Sequence, residues 1–168
     1  MYKLKKLLIA LLIASAVTAC DKSEDNNLPN NIEYIKYGTS FGMCLGYCNN
    51  SIQITNSHFY FYKSGWNLEG VLPEISFSER VDTKIITELA QKINYFSFLK
   101  LDSVIGCPDC ADGGAEWIEI GKQGKSHKVI FEYLNEPDET KEYIEYLRTY
   151  MKNFQIESND TAFSITEF

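Results

Sequence analysis

The chain has 168 residues, with 23 acidic against 16 basic side chains and a formal charge of −7. A surface of that sign repels phosphate backbones and anionic headgroups, which excludes nucleic acid and an electrostatically held membrane as partners. The length suits one domain with a core that stands without staples, and eleven tyrosines with ten phenylalanines favour a sheet over a helical bundle.

Lys3, Lys5 and Lys6 open the chain with positive charge, and Leu7 to Val17 follows as eleven residues of Leu, Ile, Ala, Val and Ser. That run is shorter than the ~20 residues a spanning helix needs and matches the apolar part of a secretion signal. Val17-Thr18-Ala19-Cys20 closes it, and this tetrapeptide resembles the lipobox of bacterial lipoproteins. The resemblance implies a signal peptide over residues 1–19, cleavage before Cys20, diacylglycerol on its sulfur and acylation of the new amino group. Each buried CH₂ contributes about 0.8 kcal/mol, so two or three chains anchor stably. Losing three lysines and no acid moves the charge from −7 to −10.

Residues 20–31 carry the anchor and then Asp-Lys-Ser-Glu-Asp-Asn-Asn-Leu-Pro-Asn-Asn, a polar flexible tether. Asp21, Glu24 and Asp25 resemble the acidic export signal of Bacteroidota surface lipoproteins, whereas an Asp just after the Cys resembles the enterobacterial inner-membrane retention signal. The many Asn, Ile, Lys and Tyr residues favour the former. The expected place is the bacterial cell envelope, lipid-anchored, in the outer membrane rather than the inner.

A single domain is predicted over residues 32–154. Ile32 to Ser40 reads as a strand running into a Gly- and Cys-bearing loop, Phe41 to Cys48. Ser51 to Thr55 alternates cleanly and pairs with Phe59 to Tyr62 as a hairpin, and Leu72 to Val81 gives a fourth strand. The period then changes: Asp82 is an N-cap, and Ile85, Ile86, Leu89, Ile93 and Phe96 mark one face of a helix ending near Phe96. A loop with Gly106, Cys107, Pro108, Cys110, Gly113 and Gly114 follows. Glu116 to Ile120 and Lys128 to Tyr133 form a second hairpin across Lys122 to Lys125. A last helix starts at Pro137, burying Ile144, Leu147 and Met151 with Tyr143 or Tyr150 beside them. Residues 155–168 read as a polar tail in which Ala162 to Ile165 adds a short strand. Strands, helix, hairpin, helix is the order of an α+β fold: an antiparallel sheet of about six strands, meander plus hairpin, with two helices on one face.

The four cysteines of the mature chain, Cys44-x₃-Cys48 and Cys107-x₂-Cys110, are the one chemically loaded constellation. Export places them where thiols oxidise, and their number is even, so disulfides lead. Local pairs close short loops worth about 2 kcal/mol each, and crossed pairs close long ones worth about 4. Proximity during oxidation favours the local pairs. Residues four apart on a strand lie about 13 Å from each other, so Cys44 meets Cys48 only if Gly46 turns the chain back. A Cys₄ zinc site is the second reading, with knuckle spacing in one pair alone. A redox-active Cys107-Pro108-Asp109-Cys110 is the third. Asp109 and Asp112 beside it raise a thiol's pKa, and no helix follows.

Asp109, Asp112 and Glu116 put three carboxylates in a Gly-rich loop, a donor set for Ca²⁺, but in no EF-hand spacing, and we assign no metal and no cofactor. His58 and His127 read as solvent-facing polar residues. No Gly-x-Ser-x-Gly, phosphate loop or His-Glu-x-x-His occurs, and a carboxylate pair for glycoside hydrolysis carries no specificity among so many acids. Trp66 and Trp117 read as sheet or core packing ahead of a platform for sugars or peptides.

The plan of strand, Cys-x₃-Cys loop, hairpin, helix and hairpin over residues 33–153 is similar to small lipoprotein domains of Bacteroidota. Its mark is Phe41 to Cys48 followed by the Ile52 to Tyr62 hairpin; the resemblance implies no activity. The expected role is non-enzymatic, binding or structural, with an envelope protein, peptide or glycan as partner. A small envelope enzyme, thiol–disulfide or carboxylate-based, and an inhibitor of an envelope hydrolase using the Cys44–Cys48 loop are the alternatives.

Overall fold

The structure is a computed structural model that describes residues 32–164. The signal segment, Cys20 and the tether lie outside the described residues. Eight strands form one mixed sheet: β1 Ile32–Ser40, β2 Gly46–Thr55, β3 His58–Asn67, β4 Gly70–Val71, β5 Ile75–Arg80, β6 Val104–Ile105, β7 Ala115–Lys122 and β8 Lys125–Glu132. Three α-helices accompany them: α1 Thr83–Lys92, α2 Tyr95–Phe98 and α3 Lys141–Ser164. The class is α+β with sheet predominating. The sheet exceeds the expected six strands because β4 and β6 are two residues long and have no period to read.

The order across the sheet is β4-β3-β2-β1-β7-β8-β6, with β5 also on β3. All pairs are antiparallel except β6 with β8. The first three strands form the expected meander, and the β7–β8 hairpin joins it on the free side of β1, which makes β1 central. Gln123 and Gly124, with φ of 52° and 70°, close that hairpin as a two-residue turn, whose twist matches the strands.

Alternation sets the faces. Tyr37 lies between Ile52 and Ile118, and Ile35 between Ile54 and Ile120; Phe61 extends the first row and Phe59 the second. These eight side chains are fully buried. Leu89, Ala90, Ile93 and Phe98, then Tyr143, Ile144, Leu147, Met151 and Phe154, belong to the same core. The Tyr150 and Phe154 rings lie 5.0 and 4.6 Å from Phe59.

Helix boundaries differ from expectation in three places. The Asp82 carboxylate accepts from Lys84 N as predicted, but the first helix stops at Lys92. Ile93 turns extended and Asn94 caps a new turn by accepting from Ser97 N, so Phe98 is buried and Phe96 points out. At Pro137 a 3₁₀ turn, Asp138–Thr140, precedes α3, which then runs through Ser164. The segment from Gln155 therefore starts inside a helix, and no strand forms at Ala162–Ser164.

Candidate functional site

β1 runs from Ile32, paired with Lys122, to Ser40, paired with Ala115. We call the Ile32 end proximal and the Ser40 end distal. The loops after β1, β3, β6 and β8 all lie at the distal end, and with the adjoining ends of β2 and β7, which hold Cys48 and Glu116, they contain the disulfide and carboxylate candidates expected from the sequence.

Both cysteine pairs are local disulfides: Cys44–Cys48 with Cα atoms 6.0 Å apart, and Cys107–Cys110 at 5.5 Å. Gly46, at φ +106°, supplies the reversal required between the first two. Cys48 is already within β2 and buried, so that bond ties the loop tip to the sheet. The second pair closes a turn with left-handed backbone at Asp109, and the same conformation recurs just after it at Ala111 and Asp112. Paired sulfurs leave no thiolates for the Cys₄ zinc reading.

The loops are tied to each other. Asp109 Oδ1 accepts from Gly42 N at 3.1 Å, and Glu132 Oε1 accepts from Cys107 N at 2.7 Å. The Phe41 ring meets Tyr133 edge-on at 5.0 Å, while Gly114 O accepts from both Asp109 N and Tyr133 N.

Glu116 does not join Asp109 and Asp112. It follows the phase of Ile118 and Ile120, so its side chain enters the core and is fully buried. Arg148 of α3 meets it with two hydrogen bonds, Nε to Oε1 at 3.0 Å and Nη2 to Oε2 at 2.7 Å. Tyr37 Oη donates to the same Oε1 at 3.0 Å, and Arg148 Nη2 also reaches Glu136 Oε2 at 2.8 Å. Burial, then the Glu116 charge, raises the Tyr37 phenol. Burial pushes Glu136 upward, but the Arg148 hydrogen bond and charge outweigh it and hold the carboxyl below its ordinary value. The three carboxylates weighed for Ca²⁺ are thus split between a surface loop and the core. Among the described residues no three of His, Cys, Asp and Glu gather as metal ligands.

This buried network was missed in the sequence, although two signals mark it. Glu116 is the acid in phase with an apolar alternation, and Arg148 is the cation in phase with Ile144 and Met151. The network pins α3 and the 133–136 turn to β7.

His58 Nδ1 lies 2.7 Å from Ser57 Oγ at the proximal turn. His127 is not solvent-facing as expected: it is half-buried, its Nε2 is 3.1 Å from Leu101 O, and its ring meets Phe98 edge-on.

The sheet face opposite the core carries Tyr34, Tyr60, Tyr62, Trp66 and Trp117, all half-buried. Trp117 lies across its cross-strand neighbour Gly38, where an added Cβ would stand 2.6 Å from the indole, and Tyr34 covers Gly121 in the same way. Lys128 Nζ sits 4.1 Å from the Trp117 ring centre. The indole is engaged in the sheet, as the packing reading expects.

Exposed apolar side chains concentrate at the distal end instead. Met43 and Leu45 flank Cys44 at 79% and 62% exposure, with Leu68 and Val71 on the β3–β4 hairpin and Leu134 just after β8. Compared with protein-family models and with curated proteins, the chain finds no match.

Proposed function

We propose that this chain is a lipid-anchored protein of the bacterial envelope, held in the outer membrane through Cys20, that acts by binding a partner at the distal end of its sheet. The observation that carries the reading is the set of exposed apolar side chains at that end, with Leu45 inside the Cys44–Cys48 loop, Met43 just before it, Leu68 and Val71 on the β3–β4 hairpin and Leu134 after β8. Exposed methionine and leucine on a free surface have an unfavourable transfer energy of about 25 cal/mol per Å², and contiguous apolar patches mark interaction sites. Chain direction supports the same reading. The tether joins β1 at the proximal end, and nine strand residues at about 3.3 Å each set the binding loops roughly 30 Å away from it. In this reading α1 and α3 cover one sheet face and leave the loop end free.

The test is retention from the native envelope on the tagged, anchored chain, compared with a Met43→Ser/Leu45→Ser variant. A partner held by the wild type and lost with the variant, at unchanged melting temperature, is expected. Equal retention profiles would overturn the assignment of the site.

A further inference from the structure

We infer that the distal end recognises a basic protein surface carrying an apolar hollow. This rests on the binding reading above and names the chemistry of the partner. Four segments build that end: residues 41–49, 66–74, 106–116 and 132–136. They contain Glu69, Glu74, Asp109, Asp112, Glu116, Glu132 and Glu136, and no Lys, Arg or His. Arg148 from α3 offsets part of this charge through Glu116 and Glu136. Nearby, Lys63 Nζ lies over the Phe61 ring and Lys141 opens α3. Glu69, Glu74, Asp109, Asp112 and Glu132 therefore share the distal segments with Met43, Leu45, Leu68, Val71 and Leu134, without a cation among the loop residues. The proximal end is mixed in sign, with Lys122 and Lys125 at the β7–β8 turn and Arg80 ending β5 beside Glu33, Glu79 and Asp82.

An apolar centre inside a charged rim is the anatomy of a specific protein interface. Its charge decides the partner. A one-signed rim steers an oppositely charged surface and repels like-charged ones, so anionic lipid, nucleic acid and a second copy of this acidic chain are disfavoured. Size agrees. The ends of β3, β2, β1, β7 and β8, about 4.8 Å apart, span roughly 19 Å, and the loops extend that breadth toward the ~800 Å² per partner of a standard complex. The loops are also preorganised. Two disulfides and the hydrogen bonds from Gly42 and Cys107 fix them before binding, which reduces the entropy lost on association.

The experiment places a photo-crosslinking residue at Leu45, at Leu134 and, as a control on the other sheet face, at Gln53 in the anchored chain in its native envelope. Adducts are expected at 45 and 134 and not at 53. The crosslinked protein, once purified, should carry a basic surface and lose about tenfold or more in affinity between low and moderately high salt. Glu69→Gln with Asp112→Asn should weaken low-salt binding several-fold at unchanged melting temperature, since Asn tolerates the left-handed backbone at 112. Adducts to a partner without a basic surface, bound independently of salt, would overturn the inference and leave the binding reading standing. Adducts at 45 and 134 no stronger than at 53 would overturn both.

Discussion

A carboxylate without water at Glu116 is tolerated because Arg148 meets both of its oxygens and Tyr37 donates a third hydrogen bond. Breaking such a pair from one side leaves a bare buried charge, whereas replacing both partners with apolar groups does not. Arg148→Met is therefore expected to cost roughly 3–5 kcal/mol, and Arg148→Met with Glu116→Leu to recover most of it, as read from urea midpoints. Glu136, held low by Arg148, contributes stability that is present above its unfolded value near pH 4.3 and lost as pH falls through the folded value. The acid arm of the stability curve should be shallower in Glu136→Gln. The tyrosines give the opposite sign. Burial raises Tyr143, and burial with the Glu116 charge raises Tyr37, so both stay protonated when folded while unfolded tyrosines ionise near pH 10. Stability should fall as pH rises past that point, and two phenols should resist titration until the chain unfolds. The Tyr143 hydroxyl is buried with no hydrogen-bond partner among the described residues. Tyr143→Phe should then raise the melting temperature and flatten the alkaline arm.

Elements with a strong period were legible in the sequence, and those set by capping or pairing were not. Ile32–Ser40 alternates enough to give β1 its limits, and Asp82 marks the start of α1 because its carboxylate satisfies a free N–H. Phe96 looked like the end of that helix because it stays in phase with Leu89 and Ile93. Asn94 interrupts it, since an Asn accepts from the amide three residues on as readily as it continues a turn. Asn94→Ala should cost about 1 kcal/mol, seen as a lower melting temperature. The disulfides follow from the same local geometry. Each closes a loop of four or five residues, so removing Cys44–Cys48 or Cys107–Cys110 by paired Ser substitution should cost about 2 kcal/mol on the chain-entropy model. Loss of Cys44–Cys48 should also abolish the crosslink at Leu45, because Leu45 is presented by the loop which that bond closes.

At the scale of the whole molecule the chain is polar in both senses. The Ile32 end of β1 carries charges of both signs, and the Ser40 end carries loop acids without a loop cation, together with exposed aliphatics. We expect Cys20→Ala to lose labelled fatty acid and partition into the aqueous phase; retention of both would overturn the anchor. The sequence by itself determined the N-terminal pattern ending in Cys20, the even cysteine set, the α+β order and the alternation that fills the core, because each is a property of residues near one another in the chain. The tertiary structure decided what needs distant residues to meet. It sent Glu116 inward to Arg148 and away from Asp109, engaged Trp117 with Gly38, and brought three acid-bearing segments and the Met43–Leu45 loop to one end of the sheet. Period fixes which way a side chain points; strand order and the path of α3 fix what it meets.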